Sequence, residues 1–209
     1  MKDYYERLYE DEKTEWNNIK AYLQSEGYRS KNGKKQTVDL NPFKSIEHLH
    51  PISIHEVWDI KHGDFKVKSI CLDYTYRMQE EVGDGQVSLS SDRIEEYSSS
   101  SFWFYIKLNK SIPKMIISPV TGMKIVGQLL SKKRFGGNMA FNLKYIIDPI
   151  SDYRSKKFVD ADIQKIFTSH RKICFESVGD KVLIRDNKAL KFKSFKEKIS
   201  FARQFMSFM

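Results

Sequence analysis

Residues 139–185 read MAFNLKYIIDPISDYRSKKFVDADIQKIFTSHRKICFESVGDKVLIR, and the apolar spacing along this stretch predicts an α+β fold. Met139, Phe141, Leu143 and Tyr145 take every second position while Ala140, Asn142 and Lys144 take the other face, the pattern of a half-buried strand. Asp160 is placed to cap a short helix whose Ile163, Ile166 and Phe167 face inward. Ile173 to Val178, a Gly179-Asp180 turn and Lys181 to Arg185 read as a β-hairpin. Beyond it, Ser194 and Glu197 have capping-box spacing, and Phe195, Ile199, Ala202, Phe205 and Met206 form the apolar stripe of a terminal helix.

Upstream, Phe102, Phe104, Ile106 and Leu108 alternate with Trp103, Tyr105 and Lys107, so aromatic side chains stand on both faces of a strand near the sheet centre. Pro113 and Pro119 bracket Met115 to Ile117, which reads as an edge or terminal strand. Ile52, Ile54, Trp58 and Ile60 share one parity; the turn signal His62-Gly63-Asp64 follows. The next run starts at Phe65 and Val67 and switches parity near Ser69 to Ile70, Leu72, Tyr74 and Tyr76, the mark of a bulge or of a strand buried on both faces. Residues 79–101, rich in acid, glycine and serine, read as a mobile loop.

At the N-terminus, Tyr5, Leu8, Tyr9, Trp16, Ile19 and Leu23 recur at helical intervals, with Asp3 and Glu6 at capping-box spacing and Gly27 as the terminating residue. The expected organisation is a helix over 1–27, a basic linker over 28–45 and one α+β domain over 46–209. Its sheet is expected to be mostly antiparallel with about six or seven strands, packed by the N-terminal, Asp160 and C-terminal helices.

The chain has 209 residues, 40% hydrophobic and 13% aromatic, enough apolar mass for a substantial core. It contains no run of about eighteen apolar residues and no basic-then-apolar leader, so a soluble, cytoplasmic protein without a transmembrane segment is expected. Cys71 and Cys174 lie in predicted strands without the paired spacing of a zinc or redox motif and read as reduced core thiols. The formal charge is +9, but residues 1–26 hold seven acids against four bases. The body therefore carries the basic excess, which fits a solvated surface rich in lysine, docking of the acidic helix on the body, or an anionic partner.

The basic clusters are the functional lead. Lys132, Lys133 and Arg134 precede Phe135 in a glycine turn, and Arg154, Lys156 and Lys157 follow Tyr153; cations interleaved with aromatics suit an anionic polymer. Lys31, Lys34 and Lys35, the Arg171-Lys172 pair and the lysines from Lys188 to Lys198 extend the excess. His48, His50 and His55 cluster near Glu47 and Glu56, but their spacing matches no metal site, and no metal or cofactor is expected. The loop Val82 to Gln86 lacks the several acids of a calcium loop. No serine sits in a nucleophile elbow, and no catalytic residue is assigned.

The aromatic strand from Phe102, the Phe135 to Gly137 turn, a strand ending near Tyr145, the Asp160 helix and the Gly179-Asp180 hairpin together resemble a group of uncharacterised bacterial proteins with an α+β domain. That resemblance implies the fold over roughly half the chain and brings no activity or site residues with it. Members commonly carry membrane-spanning helices before the domain, where this chain has an acidic helix. The function expected first is a non-enzymatic binding or adaptor domain, with a protein partner ahead of an anionic polymer. A nucleic-acid-associated protein is the alternative, and peripheral contact with an anionic membrane a rival for the same lysines. An enzyme built on scattered residues such as His50, His55 and Asp64 is a second alternative.

Overall fold

The computed structural model describes residues 8–32, 38–49, 51–62, 65–80, 93–120, 138–148, 153–170, 172–186 and 190–209. Strands β1 (Arg29–Asn32), β2 (Ile52–His62), β3 (Phe65–Glu80), β4 (Arg93–Pro119), β5 (Tyr145–Asp148) and β6 (Cys174–Arg185) form one six-stranded antiparallel sheet. Its order is β1-β2-β3-β4-β5, and β6 pairs with β4 along the opposite side. The helices are α1 (Glu10–Ser25), α2 (Met139–Lys144), α3 (Tyr153–Phe158), α4 (Ala161–Ser169) and α5 (Phe192–Phe208). The α+β class and the antiparallel sheet are those expected from the sequence.

The two faces of the sheet bury two cores. On the helical face, Trp16, Ile19 and Leu23 of α1 and Phe195, Phe201 and Phe205 of α5 pack with Phe102, Phe104 and Ile106 of β4. On the other face, Phe43, Ile46 and Leu49 cover Val57, Ile70, Leu72 and Trp103. This explains the parity of β3: Ile70 and Leu72 serve one core and Cys71 the other, so the strand is buried on both faces. The register irregularity of the β2–β3 pair lies instead between Ile54 and Glu56.

Helix α1 begins where Glu12 accepts the Tyr9 N–H (3.2 Å) and ends at Gly27, whose φ of +76° is the left-handed conformation that glycine adopts at least cost. Its acids also serve α5: the Phe192 N–H donates to Glu15 (2.7 Å), satisfying one of the amides a helix start leaves without a partner. Arg203 of α5 reaches Glu26 (2.7 Å) and Tyr28 (2.9 Å), closing the other end of the α1–α5 contact.

Several expectations are corrected. Residues 139–144 form a helix, not a strand: Asn138 accepts the Phe141 N–H (3.0 Å) as an N-cap, and Phe141 and Tyr145 stack while Met139 and Leu143 face solvent. The stretch from Cys174 to Arg185 is one strand rather than a hairpin. Gly179 takes a left-handed φ of +64° but sits opposite Ile112 at an irregularity of the β4–β6 pairing, and the chain continues along β4. Met115 to Ile117 is not a separate strand but part of β4, and Ile116 and Ile117 are not at an edge, because they pair with β5 and β6 at once. Only Pro119 stands at a strand end.

Residues 93–101, expected in a loop, are the first part of β4. Their serines pair with β3, and Ser100 donates to Asp73 (2.7 Å). Arg29–Asn32, expected in a linker, is an edge strand on β2, and Phe43 is buried. Helix α5 starts at Phe192, ahead of the anticipated Ser194 cap; the Ser194 hydroxyl donates to Asp186 instead. The Asp160 cap stands as read, accepting the N–H groups of Asp162 (3.1 Å) and Ile163 (3.0 Å).

Candidate binding groove

Pro113, which has no N–H to give, interrupts the ladder of β4, and irregularities of this kind bend a strand. The β4–β6 register shifts between Lys107 and Ile112 and again between Ile112 and Met115, and Ser177 Oγ takes up the Pro113 carbonyl (2.6 Å). Against this bend lies a groove of about 730 Å³. Ile112, Met115 and Ile116 supply apolar lining, and Lys44, Lys114 and Arg154 supply positive charge. Among the described lining residues Asp148, at the end of β5, is the one acid.

Each cation is held there by a different part of the fold. Lys114 follows Pro113 on the bend itself. Arg154 rides on α3, which packs against β4 and is anchored by the buried Ser155. Lys44 opens a single 3-10 turn, Lys44–Ile46, whose position depends on Glu176 of β6. That carboxylate, 1% exposed, accepts the backbone N–H groups of Lys44 (2.7 Å) and Ser45 (2.9 Å). Arg185 donates to the Ser45 carbonyl (2.7 Å), and Lys181 to Asp39 (2.7 Å). The Lys181 contact holds the Asp39 carboxyl below its ordinary range and raises Lys181.

Of the residues singled out from the sequence, Arg154 lines this groove. Lys156 and Lys157 are exposed on the last turn of α3, and Tyr153 beside them is 76% exposed. Lys132, Lys133, Arg134 and Phe135 lie outside the described residues. In the lysine run toward the C-terminus, Lys188 lies outside the described residues and three others have structural tasks. Lys191 lies 3.7 Å from both Asp11 and Glu15, Lys196 sits over the Phe192 ring, and Lys198 is buried against Asp186 (2.7 Å). Lys44 and Lys114 went unmarked as site residues. A Pro-Lys step inside an apolar strand was the available signal for Lys114, and Lys44 had none, since Glu176 lies 132 positions away.

Among the described residues the histidines are not brought together at one site. His55 bonds Asp73 (2.8 Å) across β2 and β3, His48 is exposed in the turn before β2, and His50 and Asp64 lie outside the described residues. Among the described residues no group of three or more His, Cys, Asp or Glu side chains is arranged to hold a metal ion. The thiols of Cys71 and Cys174 are buried, and burial pushes the Cys174 thiol up, away from reactive thiolate. A second groove, of about 590 Å³, runs between α4 and α5, but its Arg203 is engaged by Glu26 and Tyr28. Among the described residues no helix is long and apolar enough to cross a membrane. No family model, no curated protein and no solved structure matches the chain.

Proposed function

We propose that the protein is a non-enzymatic binding or adaptor domain that engages an acidic segment of a protein partner in the groove at the β4 bend. The observation that carries this reading is the lining itself, with three cations and one acid around an apolar floor. A mixed apolar and cationic surface suits a peptide, whose side chains offer both kinds of contact. Among the described residues, three carboxylates are held in structural contacts: Glu176 holds the Lys44 turn, Asp73 holds His55 and Ser100, and Asp186 holds Lys198. The two buried thiols, Cys71 and Cys174, support a reducing compartment, the cytoplasm.

One observation favours nucleic acid as a second reading, the exposed Tyr153 ring beside Arg154, Lys156 and Lys157 on α3. Fluorescence anisotropy separates the two. The probes are a panel of labelled heptapeptides alternating Glu with Val, Ile, Phe or Tyr, and labelled oligo-dT. The double variant Lys44→Glu/Lys114→Glu is expected to weaken the best peptide by about tenfold or more, since two exposed attractions become repulsions. Lys156→Glu/Lys157→Glu is expected to change it little. Oligo-dT binding that depends on Lys156 and Lys157, with no peptide bound, would instead favour nucleic acid.

A further inference from the structure

We infer that the acidic segment enters this groove as an added β-strand on β4, between Lys107 and Ile116. The inference rests on the groove reading above and adds the mode of binding. Strand β4 pairs with β3 through Lys107 and with β5 from Ile116, and β6 lies on the opposite side in both places. So β3 and β5 flank the same edge of β4 and leave an interval over residues 108–115. Among the described residues no strand pairs with that interval on that side. Four of the groove-lining residues, Ile112, Pro113, Lys114 and Met115, belong to this interval, and Asp148 and Arg154 stand at its β5 end.

A β-strand edge presents backbone donors and acceptors to any extended chain, and peptides bind to such edges by completing the ladder. At a rise of about 3.3 Å per residue, the bent interval has room for about four to six residues of an incoming strand. Its own residues select which strand. Lys110 and Lys114 are exposed on it, and such lysines repel basic strands and discourage indiscriminate pairing by apolar ones. The same charges favour an acidic segment. Pro113 breaks the regularity of β4 within the interval, which confines the added ladder to short stretches on either side of it.

The test uses the full chain and the peptide panel, with each peptide also made with N-methyl groups on alternate residues. Methylation removes backbone donors and leaves every charge in place. The expected result is a loss of affinity of about tenfold or more on methylation, because several backbone hydrogen bonds are forfeited together. Slowed amide hydrogen exchange at residues 108–115 on binding of the unmethylated peptide is expected alongside it. Equal binding of methylated and unmethylated peptides, with no new protection at 108–115, overturns strand addition and leaves the groove as a charge-based site. Absence of peptide binding even at low salt overturns both the strand mode and the groove reading.

Discussion

Asp186→Ala is expected to lower the unfolding free energy by about 3–5 kcal/mol, measured by urea denaturation at neutral pH. Asp186 and Lys198 are each only 3% exposed at the side chain and lie 2.7 Å apart, with the Ser194 hydroxyl donating to the other carboxylate oxygen. Desolvating either charge alone is expensive, and the pair tolerates burial because each compensates the other. Truncating the acid leaves an ammonium group in the interior without that compensation. The double variant Asp186→Leu/Lys198→Met is therefore expected to recover most of the loss, since two apolar side chains of similar bulk need no partner. A small effect of the single variant would contradict the buried-pair account. The contact joins the end of β6 to α5, so its loss should also loosen the seat of α5 on the sheet.

Phe167→Ala is expected to cost about 3–5 kcal/mol as well, by a different route. Phe167 is fully buried on α4, and its ring lies against those of Tyr145 (5.2 Å), Phe175 (5.7 Å) and Phe201 (4.8 Å). It is thus the point where β5, β6 and α5 meet α4. Removing the ring gives up apolar burial and leaves a cavity among aromatic neighbours that are themselves held in place. Phe167→Leu should cost clearly less, since it retains most of the apolar volume. Denaturant midpoints of the two variants check the ordering, and equal midpoints would contradict the packing account. Burial in this same cluster pushes the Tyr145 hydroxyl up to about 12.

The sequence was most legible where one residue pattern answered to one burial requirement. The alternation in Phe102 to Leu108 holds because β4 is the central strand with a core on each face. The Asp160 helix was legible because a cap and an inward stripe are local signals. Misreadings arose where local and long-range demands differ. Met139, Phe141, Leu143 and Tyr145 fit a strand by alternation, yet the helix wins because Asn138 caps it and only Phe141 and Tyr145 are buried. Gly179 is a turn glycine by composition, but β4 supplies a continuous partner and the left-handed residue becomes an irregularity within a strand.

The groove was the least legible feature of all. Arg154 could be singled out by charge and spacing, because it belongs to a basic cluster beside an aromatic residue. Lys44 belongs to a segment whose composition resembles a linker. It is Phe43, Ile46 and Leu49 that press this segment onto the sheet, and Glu176 that fixes its turn. Nothing near Lys44 in the sequence encodes the meeting of that turn with the β4 bend. A basic excess can be counted from composition, but which lysines share a surface is decided by tertiary pairing.

The most direct measurement of the central claim is zero-length carbodiimide cross-linking of the best-binding acidic heptapeptide to the full chain, followed by peptide mapping. Carbodiimide joins a carboxylate to an amine only where the two are already in contact. The account predicts cross-links concentrated at Lys44 and Lys114, suppressed by excess unlabelled peptide. Cross-links confined to Lys156, Lys157 or Lys196, with Lys44 and Lys114 unmodified, would contradict it and move the binding surface away from the β4 bend.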